Sequence, residues 1–297
     1  PRYASALAKV SKHLQGDAAW TSVTAVLIGQ EREEGCAEQV TAVTPAAPSK
    51  RARLAEGSEA YSMPCSVTLE GVELAQSALE DFVQSYFMFH NLENQQSADV
   101  LRFIPSLLFV EGHIYDLDQA NEDYLGGQES SEFSSVLPPP GEDPFGPLRS
   151  VLKERGWMSP RIEAELQSGG KYWALERKLC KALASGGAEA ESISRADVEA
   201  ALRLKSFDYR VMNLLLYSMR CAEPVQEYLD FLEASEVLVE VGDDLVDYSD
   251  DVEANSFNVY RCFVAMYGLE KGPQELMAFI GDAEAEYSKR LGRLDPA

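Results

Sequence analysis

Apolar residues recur at steps of three and four along most of the chain from residue 69 onward. That spacing gathers them on one face of a helix, whereas a strand alternates at every second residue. We find no alternating run of useful length, no nucleotide-binding glycine loop and no long internal repeat. We therefore predict an all-α protein, with helices at about residues 69–91, 96–125, 147–155, 159–184, 195–203, 206–220, 223–254, 256–268 and 272–292.

Proline and glycine divide the chain between these helices. Pro105 is expected to break or kink the second helix, and the pair at 126–127 to end it before a proline-rich loop at 130–146. Residues 3–29 hold two short helical patterns, and residues 31–66 lack periodicity. The predicted organisation is N-terminal helices with a flexible linker in residues 1–66, followed by a single all-α helical bundle in residues 67–297.

One predicted helix is unusually acidic. Between Arg220 and Arg261 the chain has no Lys, Arg or His, and seven of the fourteen residues from Glu240 to Glu253 are carboxylates. The same stretch keeps a helical apolar spacing, at Val237, Val241, Leu245, Tyr248 and Val252. The pattern predicts one long and mostly buried helix over residues 223–254.

Carboxylates on this helix suggest a metal site. Asp243, Asp247 and Asp251 lie at i, i+4 and i+8, so their like charges stack on one side and need a compensating cation. Oxygen ligands favour a hard ion, Mg²⁺ first, with Mn²⁺ as the other candidate. The alternative is a solvated acidic face on a protein whose net charge is -23.

A second acidic group follows the apolar run at residues 103–110. It contains Glu111, Asp116, Asp118, Glu122 and Asp123, of which the first three are proposed as metal ligands. If the two acidic helices face each other across a cavity, their carboxylates could hold two or three metal ions around a diphosphate. His113 is better explained as a polar core residue than as a base. The aromatic residues Phe82, Tyr86, Phe87 and Phe89 could line a cavity, although a plain core is the more common explanation.

Composition limits the partners and the compartment. The net charge of -23 argues against non-specific binding of nucleic acid, although a bound cation would still permit an anionic substrate. Five scattered cysteines without CxxC spacing indicate reduced thiols in an intracellular protein. No apolar run reaches the length of a membrane span. We expect a cytoplasmic location. A plastid stays open because the chain starts without Met, and the nucleus because residues 48–54 form a small basic patch.

At Gly242-Asp243-Asp244-Leu245-Val246-Asp247-Tyr248-Ser249-Asp250-Asp251 the chain resembles the second metal-binding motif of class I isoprenoid (terpene) synthases. Asp243, Asp244 and Asp247 are also similar to the DDxxD of prenyl diphosphate synthases. A closer resemblance, over about residues 95–292, is to plant terpenoid synthase-like proteins of unassigned activity. It runs through residues 204–210, 213–217 and 255–261. It implies an isoprenoid synthase fold with Mg²⁺ at an apolar cavity, and a prenyl diphosphate or similar anionic substrate. Beside the acidic helix, Lys205, Arg210, Asn258 and Arg261 could contact a diphosphate. The more common role of such residues is to pair with Asp208 or neighbouring acids.

The chain differs from the family pattern at the first acidic motif. Gly112 and His113 stand where the first two Asp residues of DDxxD belong; Asp116 matches, and Glu111 is one residue out of place. Two hypotheses follow, and the sequence leans toward the first. One is a Mg²⁺-dependent lyase or transferase that ionises a prenyl diphosphate, with no catalytic residue assigned. The other is a catalytically degenerate helical scaffold or interaction protein of the same fold, with a protein partner.

Overall fold

A computed structural model describes residues 65–92, 100–125, 143–185 and 192–294. Throughout these ranges the regular secondary structure is helical, as the periodicity predicts. No helix in them is both long enough and apolar enough to cross a membrane. The nine α-helices of these ranges are α1 (Leu69–Tyr86), α2 (Ile104–Leu125), α3 (Gly146–Glu154), α4 (Pro160–Ser185), α5 (Arg195–Lys205), α6 (Phe207–Met219), α7 (Gln226–Val246), α8 (Tyr248–Ala254) and α9 (Val259–Leu291).

The helices pack around one apolar core. α1 lies against α2, α6 lies against α2 and α4, and α7 lies against α5 and α9. The fully buried large side chains come from most of these helices, and they include Phe82, Leu107, Leu148, Leu166, Leu202, Met212 and Phe263. Phe82 stacks on Tyr86 with ring centroids 4.7 Å apart and meets Phe87 edge-on at 6.0 Å. These aromatic side chains pack against one another as core residues.

The contact between α1 and α2 depends on two glycines. A Cβ on Gly112 would lie 2.6 Å from Cγ1 of Val67, and a Cβ on Gly71 would lie 2.7 Å from the carbonyl oxygen of Gly112. At Gly71 the obstacle is backbone, so a larger residue would push the helices apart. Gly112 occupies a position where the resemblance expects Asp, and a larger residue there would have to displace the Val67 side chain.

The predicted single helix over residues 223–254 is wrong, because it breaks at Asp247 into α7 and α8. The amide of Asn258 donates to the carbonyl oxygen of Asp244 at 2.5 Å. In an uninterrupted helix that carbonyl accepts only from the N–H of residue 248, and a side chain inserted into the ladder is a recognised cause of a kink. As a result Leu245 and Val252, predicted to be buried, are 46% and 40% exposed.

The helix breaks expected at proline and glycine are also present. Residues 102–103 form a turn just before Pro105, and Pro105 lies in the first turn of α2, where the lack of an N–H costs nothing. The predicted helices at 256–268 and 272–292 correspond to the two parts of α9, which are separated by the non-helical Gly268 with φ of 81°. The predicted N-terminal helices, the linker at 31–66, the basic patch at 48–54 and most of the loop at 130–146 lie outside the described residues.

Candidate functional site

Three carboxylates of α7 point into the bundle. Glu236, Glu240 and Asp244 are 7%, 2% and 1% exposed, and they follow one another at i, i+4 and i+8. Val237 and Val241, next to them in the sequence, are buried on the same side of the helix. We call Glu236, Glu240 and Asp244 the α7 acid row. The row has the spacing that the sequence assigned to Asp243, Asp247 and Asp251, but it lies on a different side of the helix.

Every carboxylate oxygen of the α7 acid row accepts a hydrogen bond from the protein. Glu236 accepts from the Tyr86 hydroxyl at 2.5 Å and from Nη1 of Arg210 at 2.7 Å. Glu240 accepts from the Ser206 hydroxyl at 2.5 Å and pairs with Nζ of Lys205 at 2.9 Å.

Asp244 accepts from the same Lys205 Nζ at 2.8 Å and from the backbone N–H of Val259 at 2.6 Å. The ammonium of Lys205 therefore bridges two carboxylates, and Asp244 also fixes the start of α9.

Burial and ion pairing shift the pKa values of these groups in opposite directions. Burial raises the pKa of Asp244 to about 6, although Lys205 and the Val259 N–H lower it. Burial likewise raises the pKa of Glu236 to about 7 against the lowering effect of Arg210. For Lys205, burial would lower the pKa, but Asp244 and Glu240 raise it well above its ordinary value. Lys205 therefore stays charged, and the row depends on it for compensation.

Outside the row, Asp243, Asp247 and Asp251 are half-buried. Asp251 accepts from the Asn258 amide at 2.9 Å, so it helps to hold α8 against the start of α9. Asp243 and Asp247 also take part in interactions within the protein. Of the residues proposed from the acidic motif, Asp244 alone belongs to the α7 acid row.

The acids of α2 separate into two directions. Asp116 faces α1, where it accepts from the backbone N–H of Thr68 at 2.7 Å and from the Thr68 hydroxyl at 2.5 Å. The same hydroxyl accepts from the N–H of Gly71 and caps α1. His113 joins this contact through Nδ1, which lies 2.9 Å from the carbonyl oxygen of Ser66. Asp116 and His113 thus connect the beginning of α1 to α2.

Glu111 and Asp118 face the interior instead. Nε1 of Trp173 donates to Asp118 at 2.6 Å, and the charge of Lys205 acts on the same carboxylate. Glu111 is 0% exposed, and neither of its oxygens accepts a hydrogen bond from an N–H or O–H of the described residues. Burial, and then the neighbouring carboxylates of Asp208 and Asp118, raise the pKa of Glu111 well above its ordinary value. The acids of α2 and α7 do approach one interior region, because Asp118 and Glu240 both act on Asp208.

The four side chains proposed to contact a diphosphate all have internal partners. Lys205 pairs with Glu240 and Asp244. Arg210 bridges Glu236 at 2.7 Å and Glu165 at 2.8 Å. Asn258 caps α9 by accepting from the N–H of Arg261. Arg261 donates to the carbonyl oxygen of Ser256 and to Oδ1 of Asn255, and so closes the turn between α8 and α9.

Sequence reasoning missed several interior acids. Glu236 and Glu240 carry the i, i+4 spacing and lie next to the buried valines, so the periodicity contained a signal for them. Asp208 and Glu176 had no such signal. Glu176 accepts from the Asn121 amide at 2.7 Å and the Tyr172 hydroxyl at 3.0 Å, and burial raises its pKa to about 8. Only tertiary packing reveals that these acids face the same interior.

Three of the acids that the resemblance implies as metal ligands are bound by donors of the protein. Asp116 and Asp251 are engaged at helix ends, and both oxygens of Asp244 are taken by protein donors. Among the described residues, no three His, Cys, Asp or Glu side chains are grouped so that they could hold a metal ion. Comparison of the chain with protein-family models, curated proteins and solved structures finds no match.

Proposed function

We propose that this chain is a helical interaction protein built on an isoprenoid synthase-type bundle, with an internal cation in place of catalytic metal chemistry. One observation carries the proposal. All six carboxylate oxygens of the α7 acid row accept from protein donors, and Lys205 supplies the charge between Glu240 and Asp244. A buried carboxylate that is fully hydrogen-bonded gains little by exchanging its partners for a metal ion.

The interface between α1 and α2 supports the same proposal. Gly112 and His113 replace two expected acids, and both serve the contact with the segment that begins α1. Asp116, the one acid that matches the expected first motif, binds Thr68. In this proposal the first acidic motif acts as a helix-packing site, because His113 and Asp116 bind the segment that begins α1.

Ligand-dependent stability tests this function. A ligand that binds only the folded state at about a hundred times its dissociation constant adds roughly 2.7 kcal/mol, or several degrees in Tm for a chain of this size. We expect no such rise with Mg²⁺ or Mn²⁺ and inorganic diphosphate together, and no turnover of geranyl, farnesyl or geranylgeranyl diphosphate. Either a saturable rise in Tm or metal-dependent turnover would overturn the proposal.

The second candidate is the Mg²⁺-dependent prenyl diphosphate enzyme expected from the resemblance. The carboxylate of Glu111 favours it, because this buried acid lies next to the acids Asp208 and Asp118, and clustered carboxylate oxygens suit a hard cation. Glu111→Gln separates the candidates. If an enzyme uses Glu111 as a ligand, the variant loses metal-dependent stabilisation and turnover. If Glu111 is only a buried acid, the variant is about as stable as the parent, because the raised pKa already favours the uncharged acid and Gln is an uncharged side chain of the same size.

A further inference from the structure

The kink at Asp247 leaves a continuous exposed face on α7 and α8. Its residues are Leu245, Val246, Ser249, Asp250, Val252 and Glu253, all of them exposed. They lie in two neighbouring rows, because 245, 249 and 252 share one helical row and 246, 250 and 253 share the next. We call these six residues the α7–α8 face. Val246 is 76% exposed, so the apolar members lie in water instead of resting against the core.

The other side of α8 is attached to the protein. The ring of Tyr248 packs against Tyr260 with centroids 5.1 Å apart, and Asp251 accepts from Asn258. Helical hydrogen bonds cross the break, from Asp247 to Asp243 and from Asp251 to Asp247, both at 2.9 Å. The face is therefore presented on a fixed support, so a partner would bind without first having to order it.

The charged members of this face have one sign. They are Asp250 and Glu253, and both carboxylates are exposed. Carboxylates beside exposed Leu and Val match a ligand that is basic and apolar at once. We propose that the α7–α8 face binds a basic amphipathic helix of a partner protein. The proposal rests on the interaction function proposed above and names the chemistry of the partner.

The composition of the face indicates how the partner binds. Its three apolar residues would contact leucine-type side chains in the partner, as helix-recognition sites do, while Lys and Arg beside them meet the acids. Six residues cover well under the roughly 800 Å² per partner of a stable interface, so we expect a weak and rapidly exchanging complex. Steering by the acids should make association depend on ionic strength.

Three synthetic peptides of equal length test the proposal by fluorescence anisotropy with the full chain. The first carries Leu at every third or fourth position and Lys elsewhere, the second replaces its Leu with Ser, and the third replaces its Lys with Glu. We expect binding of the first peptide only, weakened by about 0.5 M salt. Leu245→Ser with Val246→Ser should weaken binding roughly tenfold. Leu269→Ser is the matched control, because Leu269 on α9 is 82% exposed and lies outside the face.

Several outcomes would overturn the inference. Equal binding of the Leu and Ser peptides would mean that the acids attract any cation. Equal loss in the Leu269→Ser control would mean that the face is not special. Concentration-dependent dimerisation that disappears with Leu245→Ser and Val246→Ser would make a second copy of the chain the occupant. Failure of the underlying function is a separate result, because it shows as metal-dependent turnover, which substitutions on this exposed face do not remove.

Discussion

Removing the charge of Lys205 should destabilise the fold far more than removing the charge of an exposed lysine. Lys205→Met keeps the length of the side chain but leaves Oε2 of Glu240 and Oδ1 of Asp244 without their donor. Both acids are no more than 2% exposed, so water does not replace the lost ammonium. Breaking a buried pair by removing one partner costs about 3–5 kcal/mol. Because Lys205 itself is 23% exposed, we expect the lower end, about 3 kcal/mol at pH 8.

The expected loss depends on pH, and the sign follows from Asp244. Its folded pKa of about 6 lies above the ordinary value of 3.8, so the folded state binds the proton more tightly than the unfolded state. Without Lys205 that pKa rises further, because a lowering interaction has gone. The variant should therefore recover part of the lost stability as the pH falls from 8 to 5, where a proton replaces the ammonium as the compensating charge.

Urea denaturation at pH 8 and pH 5 measures the loss of stability and its recovery at low pH. In thermal unfolding of a chain of this size, a loss of about 3 kcal/mol corresponds to a fall of roughly 6–12 °C in Tm. Lys178→Met is the matched control, because its ion pair with Asp197 at 2.9 Å is formed by a side chain that is 55% exposed. That control should lose less than about 1 kcal/mol. If Lys205→Met loses no more stability than Lys178→Met, the ammonium of Lys205 is not the charge that compensates Glu240 and Asp244.

Two further predictions concern the helix contact and a buried histidine. Gly112→Asp restores an acid expected from the resemblance. It should lower the free energy of unfolding, measured in urea, by at least about 1–3 kcal/mol, because its Cβ would meet Val67. Gly281→Asp is the control, because Gly281 is exposed and has open space around it. Burial lowers the pKa of His90 to about 4, although its hydrogen bond to Asn213 opposes this. Neutral His90 therefore contributes stability above pH 6.5, and this contribution of up to about 3 kcal/mol is lost as the pH falls toward 4. His90→Gln should be less steeply destabilised between pH 6.5 and 4.5, and an unchanged slope would contradict the assignment.

The spacing of apolar residues was enough to predict the helices, but not which carboxylates of α7 face the interior. The predicted helix at 159–184 lies within one residue of α4, because helix ends follow from local patterns of apolar residues and capping. The α7 acid row was displaced from the prediction because carboxylates occur on several sides of that helix. Adjacent acids are equivalent in sequence, and only the packing of the neighbouring helices decides which of them are buried.

The compensating cation could not be predicted from the acidic segment itself. The absence of basic residues from 221 to 260 was the main argument for a metal ion. Lys205 reaches Asp244 across 39 residues of sequence, and Arg210 reaches Glu236 across 26. Both come from the helices that precede the acidic one. A shortage of local partners is therefore weak evidence for a metal, since tertiary contacts supply charges from distant parts of a chain.

The exposed apolar residues of α8 follow from the same tertiary contacts. The side chain of Asp244 accepts from the N–H of Val259, and its carbonyl oxygen accepts from Asn258, so one residue holds the start of α9 at the end of α7. The chain must return to that point within the segment between them, and it turns at Asn255, whose φ is 57°. A straight continuation of α7 would carry residues 248–254 away from Asp244, so the helix bends there. The apolar spacing of Leu245 and Val252 then no longer marks a core face. It marks instead an exposed surface with negative charge, the one that we propose binds a basic helix.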